Sequence, residues 1–181
     1  MASNIATIKD KLSGGGARPN LFKVSMTYPS AIAAAGSEDI LIKAAGLPSS
    51  NLGVIEVPVR GLILKVAGDR TFDTWTITVL NDIDFKIRQA FEKWMSSIRK
   101  LTDNDGKANP ADYIVDGVTV EQLDRNENSI RKYIFEGVFP TNISQIDLSS
   151  DSTDTIEEFT VELQVQSYKI SKSGGKAPDV N

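Results

Sequence analysis

The chain of 181 residues contains no cysteine and no histidine. Disulfides, thiolate sites and the usual zinc or iron ligand sets are therefore excluded within a single chain. Ser-His-Asp and Cys-His nucleophile systems are excluded with them. There is also no apolar run near the roughly 20 residues that span a bilayer. The first ten residues, Met1 to Asp10, lack the basic start and apolar centre of a signal peptide. A soluble chain that is not conventionally exported is expected. A strong excess of either charge sign is lacking too. A net charge of −4 gives no footprint for tight DNA binding, although an acidic protein can surround a duplex and let it slide.

What is present suits one globular domain. Hydrophobic residues make up 40% of the chain and charged residues 24%, enough to bury a sizeable core. Three parts are expected: an N-terminal arm over 1–17, a β domain over 18–170 and a flexible C-terminal tail over 171–181. In the arm, Ile5, Ile8 and Leu12 have helical spacing ahead of the hinge Ser13-Gly14-Gly15-Gly16. Between the arms most segments alternate as strands do. Residues 21–28 place Phe22, Val24, Met26 and Tyr28 on one face until Pro29 ends the run, and a small-residue loop follows over 31–36. Residues 40–45 and 55–59 read as further strands, with Pro58 confining the latter to an edge or a bulge. Strands are also expected at 118–123, 129–138 and 159–167. The last of these turns Phe159, Val161, Leu163 and Val165 inward and Thr160, Glu162, Gln164 and Gln166 outward. One helix is expected over 83–100, where Ile87, Phe91, Trp94, Met95 and Ile98 recur every three or four residues. Asp82 is its expected N-cap, Asp84 suits the first turn, and Arg99 and Lys100 suit the last. The fold class is mainly β: an antiparallel sandwich or barrel with one flanking helix.

The most informative stretch is 65–82. It reads as a strand (62–66), a tight turn at Gly68-Asp69-Arg70, and a second strand in which Trp75, Ile77 and Val79 oppose Thr74, Thr76 and Thr78. Asp69 and Arg70 would pin the turn, with Phe72, Asp73 and Trp75 beside them as structural or assembly residues. No nucleophile, general base or ligand cluster accompanies them.

Chemistry elsewhere is sparse. Asp103-Asn104-Asp105-Gly106, with Asp112 beyond, resembles part of an EF-hand loop but puts Leu101 at the first ligand position. The acidic run from Asp147 to Asp154 has no glycine to form such a loop, and a solvated loop is expected. The residues 14–16 carry neither a phosphate-loop lysine nor a dinucleotide spacing. No catalytic residues, metal ligands or cofactor are expected, and the chain is read as no enzyme.

Three blocks in order along the chain carry a family resemblance. They are Ala17-Arg18-Pro19-Asn20-Leu21-Phe22, then residues 66–82 running into the helix, then Gly137-Val138-Phe139-Pro140-Thr141-Asn142 followed by Ile146-Asp147-Leu148 and the terminal strand. Across about residues 17–170 the chain resembles the tail tube proteins of contractile-tailed bacteriophages. The resemblance implies hexameric rings that stack into a hollow tube inside a contractile sheath, with strands from each subunit forming a continuous barrel around the lumen. It implies partners: further copies of the chain, the sheath, baseplate and tail terminator proteins, and viral double-stranded DNA passing without sequence-specific binding. Its place would be the virion tail, after assembly in the host cytoplasm. The alternative is the tube of a phage-derived contractile injection system carrying protein effectors. Thr160, Glu162, Gln164 and Gln166 are the expected lumen residues, and the arms and the loop over 102–116 are expected ring-to-ring contacts.

Overall fold

The computed structural model describes residues 5–11, 16–32, 41–100 and 109–171. Leu12, residues 13–15, most of the 31–36 loop, Asp103-Asn104-Asp105-Gly106 and the tail beyond Ser171 lie outside them. A short helix, α1 (Ile5–Lys11), precedes strand β1 (Phe22–Ser25) and a 3-10 turn at Ser30–Ile32. Then come β2 (Ile42–Ala45), β3 (Asn51–Val59), β4 (Leu62–Thr71), β5 (Trp75–Leu80) and helix α2 (Lys86–Ile98). A second 3-10 turn at Pro110–Asp112 leads into β6 (Val118–Leu123), β7 (Ser129–Glu136), β8 (Phe139–Ile143), β9 (Glu158–Gln164) and β10 (Ser167–Ser171).

Two antiparallel four-stranded sheets form the sandwich, ordered β1-β6-β7-β10 and β2-β5-β9-β8, and β3-β4 is a separate two-stranded ribbon. Alternation in the sequence supplies the core. Trp75, Ile77 and Val79 of β5 and Phe159, Val161 and Leu163 of β9 are buried against Val118, Val120 and Phe135 of the facing sheet. Trp75 and Phe135 meet with ring centroids 4.5 Å apart. Helix α2 adds Ala90, Phe91 and Trp94, and Tyr28 packs edge-on to both aromatic rings at 5.6 and 5.8 Å. Burial raises the Tyr28 hydroxyl pKa far above its ordinary value, so it stays protonated. The indole N–H groups are satisfied inside: Trp94 donates to the Tyr113 carbonyl at 2.8 Å and Trp75 to that of Gly46 at 2.7 Å.

The structure corrects several expectations. Gly68-Asp69-Arg70 is not a turn; it lies inside β4, which pairs with β3 and not with β5. The turn sits at Arg60 and Gly61, both with positive φ (48° and 88°), as a two-residue hairpin loop requires. Gly68 instead faces Gly53 at a bulge, where an added Cβ would stand 3.2 Å from the Gly53 backbone. A strand glycine here marks close backbone approach. Asp82 does not cap α2 either. Its carbonyl accepts from the Phe85 amide at 3.0 Å, and Phe85, at φ 54°, precedes the helix without a side-chain cap. Asp84 therefore lies ahead of the first turn, where it pairs with Lys86 at 2.7 Å, and Arg99 lies just past the last.

The expected long terminal strand is two strands in different sheets. At Val165 and Gln166 the chain crosses from β9 to β10, alongside Gly137 and Val138, where β7 passes to β8. The Gln166 amide donates to the Glu136 carbonyl at 3.1 Å, which ties the two crossings together. Gly137 has φ 67°, and an added Cβ would stand 2.6 Å from Gln166 Oε1. Gly137→Val is therefore expected to lower unfolding stability by about 1–3 kcal/mol or more, read as a lower urea midpoint.

On the outer face of the β1 sheet, Glu121 and Lys132 pair directly across β6 and β7 at 2.8 Å. Hydrogen bonding from Lys132 is the leading cause that holds the Glu121 carboxyl below its ordinary value. A depressed folded-state pKa adds stability above the unfolded value, and that stability is lost as pH falls through the folded value. Glu121→Gln should therefore be less stable than the parent at neutral pH, with the gap closing as pH drops below 4.5 in pH-resolved urea melts.

Candidate assembly surfaces

The β3-β4 hairpin has strands of nine and ten residues, all but Gly68 exposed, giving a reach of about 30 Å. Leu52, Val54, Ile55, Val57, Val59, Leu62, Ile63, Leu64 and Val66 stand on it as exposed large apolar side chains, Leu62 at 77%. One face is wholly apolar, with Ile55, Val57 and Val59 opposite Val66, Leu64 and Leu62, and the other sets Val54, Pro58 and Ile63 around the Glu56–Lys65 ion pair. A lone two-stranded ribbon is at best marginally stable in water, and full burial of each such side chain is worth about 1.5–3 kcal/mol. Its sequence is written for cover that a single chain does not supply.

The root of the hairpin is firm. Asp73 accepts from Ser49 Oγ at 2.6 Å and from Asn51 Nδ2 at 2.7 Å, which ties the entry of β3 to the exit of β4. Phe72 packs edge-on to Tyr168 at 5.4 Å, and Trp75 begins the core strand. Of the five expected assembly residues, Phe72, Asp73 and Trp75 thus converge at this root. Asp69 and Arg70 do not join them as a pin: they are successive exposed residues of β4 whose side chains leave opposite faces. No ion pair links them among the described residues.

The outer face of the β2 sheet is polar, with Glu158 ion-paired to Lys43 at one end. Thr76 pairs with Glu162, Thr78 with Thr160, and Asn142 with Glu162. Thr74 Oγ1 donates to Gln164 Oε1 at 3.3 Å. Thr160, Glu162 and Gln164 therefore share one polar face. Gln166 is not on it, because it lies beyond the crossing to the other sheet.

A groove of about 700 Å3 opens at one end of this sheet, under the loop joining β8 to β9. Ile146, Leu148 and Ile156 line it with Asp147, Asp154 and Lys43. Leu148 is 80% exposed and Ile156 71%. Among the described residues no group of three acidic, His or Cys side chains is placed to hold a metal ion. No helix there is long and apolar enough to cross a membrane.

Residues 17–171 match the sequence family described as phage tail tube protein. The chain belongs to that family. It is 34% identical over 158 residues to the tail tube protein gp19 of Enterobacteria phage T4, covering 87% of this chain and 93% of the relative. It is 32% identical over 154 residues to the tail tube protein of Serratia phage KSP90, covering 83% and 86%. Among solved structures its fold is similar to a chain of the anti-feeding prophage baseplate (TM-score 0.65, 13% identity, 88% and 98% covered). It is also similar to one of the PVC sheath-tube complex of an extracellular contractile injection system (TM-score 0.57, 15% identity, 94% and 99% covered). A tail tube protein of a contractile-tailed phage is a structural component of the virion, and the apolar hairpin fits a subunit whose folding is completed by assembly.

The sequence places strands at 55–59 and 62–66 but not their pairing with each other, so the hairpin, which lies mostly ahead of the 66–82 block, is not legible there. The available signal was the apolar content of 52–66 on both strand faces, which no monomeric sheet would carry. Replacing Leu62 and Leu64 together by Asp should leave the monomer melting temperature within a few degrees of the parent and abolish tubes in negative-stain micrographs.

Proposed function

We propose that this tail tube chain forms hexameric rings that stack into the hollow inner tube of a contractile tail, through which viral DNA passes. The single observation that carries the self-assembly is the hairpin: a wholly apolar face of six large side chains, Ile55, Val57, Val59, Leu62, Leu64 and Val66, on a ribbon the chain itself leaves open. Copies of the same chain are its natural cover, and repetition of one unsymmetrical contact builds a ring if it closes and a filament if it does not. Side-by-side pairing at β2 and β8, the free edges of their sheet, would continue that sheet around a barrel and remove its edges. The sheath would enclose the outside, with baseplate and terminator proteins at the two ends. The phage relatives at 32–34% identity favour DNA as cargo over the effector proteins of an injection system.

We assign the lumen to the outer face of the β2 sheet, with Thr160, Glu162 and Gln164 facing the bore. Hydroxyl and amide groups dominate this face, and Lys43 beside it is already ion-paired with Glu158, which leaves little to hold phosphates. Glu162 would repeat around each ring as a circle of carboxylates that repels the duplex from the wall. Glu162→Lys should leave tubes intact in electron micrographs while reducing infectivity by about tenfold or more, since each added cation releases counterions from DNA and binds it. Normal plaque counts from virions carrying that substitution would overturn the lumen assignment.

A further inference from the structure

The ribbon is as open along its edges as on its apolar face. Among the described residues β3 and β4 pair only with each other, so each keeps one free row of backbone N–H and C=O groups. Such an edge is a template on which another chain can add a strand. Residues 52–57 and 62–67 invite that addition, being rich in Leu, Ile and Val with one charge each.

The register fixes which groups face outward. Arg60 and Gly61 form a two-residue loop, so the flanking Val59 and Leu62 are the pair that exchanges both backbone bonds. Pairs alternate from there. Val57 with Leu64 and Ile55 with Val66 bond inward, while Pro58 with Ile63, Glu56 with Lys65 and Val54 with Ala67 turn their backbone groups outward. The free edge of β3 therefore offers an N–H at Val54 and Glu56 but none at Pro58. At an inward position proline would cost the ribbon one of its own bonds. At 58 it removes only the bond that an added strand would need. Towards the root, the bulge where Gly53 faces Gly68 ends the regular edge. On β4 the outward row is Ile63, Lys65 and Ala67, with a charged residue at its middle.

We infer that Pro58 is an edge block: it stops the β3 edge of one free subunit from taking up a strand of another. Strand addition would join ribbons edge to edge without limit and consume subunits before they reach a ring. The block acts on the free chain, while the ribbon is still uncovered, and leaves the apolar face as its contact surface. It deepens the self-assembly proposed above by naming the wrong association that the ribbon refuses.

Pro58→Thr in the full chain tests this. Threonine restores an outward N–H, suits a strand and adds no larger apolar side chain, so the monomer should melt within a few degrees of the parent. At equal concentration it should give at least about tenfold more thioflavin T fluorescence than the parent, from fibres with a strand spacing of about 4.7 Å. Adding Glu56→Pro to Pro58→Thr moves the missing N–H two residues along the same edge and should return the signal to the parent's level. The Glu56–Lys65 pair is exposed and 3.7 Å long, so its loss costs the fold little. A Pro58→Thr chain with no rise in fluorescence, or a double variant that forms fibres as readily as the single one, would overturn the edge block. Tubes are scored separately by electron microscopy. A parent that never forms them would overturn the self-assembly reading, while fibres from Pro58→Thr alone would still support the block.

Discussion

Inward-facing side chains from two sheets meet at one seam, where Trp75 lies against Phe135, and the rest of the subunit is hung from that seam. β5 and β9 run side by side there in strict register, Trp75 opposite Leu163, Ile77 opposite Val161, and Val79 opposite Phe159. Because strand side chains alternate, burying one set commits the other to the outer face. The polar face bearing Thr160, Glu162 and Gln164 is thus a consequence of the core. The same register fixes where β5 begins and ends, and with it the positions of the hairpin root and of the groove.

The subunit divides its apolar surface between two tasks. The sandwich and α2 bury most of theirs in one core, with the indole N–H groups of Trp75 and Trp94 matched to backbone carbonyls. The β3-β4 ribbon buries almost none. A stiff core with a pinned root and an uncovered projection is what a repeating structural unit needs, since the projection is stabilised only when a neighbour arrives. Catalysis would require a cleft with converging titratable groups. Here the described acidic groups with resolved pKa shifts are held down by surface hydrogen bonds, as at Glu121 and Glu136 with their lysines, or at Asp124 with a local turn.

Reading the sequence recovered the strands that face a core on one side. The run 118–123 matches β6, and the alternation at 75–80 and 159–165 was legible residue by residue, because period-two burial is a local property. The helix was legible from its apolar stripe, but its start was not, because Asp82 uses its carbonyl in a turn and α2 begins four residues later. The turn at Gly68 was misplaced for a similar reason. Glycine beside aspartate has turn composition, whereas its task here is to let two strand backbones approach at a bulge, and the partner strand lies 15 residues upstream at Gly53.

By itself the sequence determined the chemistry that is missing, the β class, the inward set of residues and the family, since each depends on composition, period or motif. Only the tertiary structure decided which strand pairs with which. It split the terminal strand between two sheets at Val165 and Gln166, so Gln166 left the face that Glu162 occupies. It also turned residues 51–71 into a projecting ribbon and placed an acidic groove at the far end of the same sheet. The physical reason is that strand pairing and sheet crossing are settled by contacts between residues distant in the chain. Alternation records which side of a strand is buried, but not the neighbour that buries it.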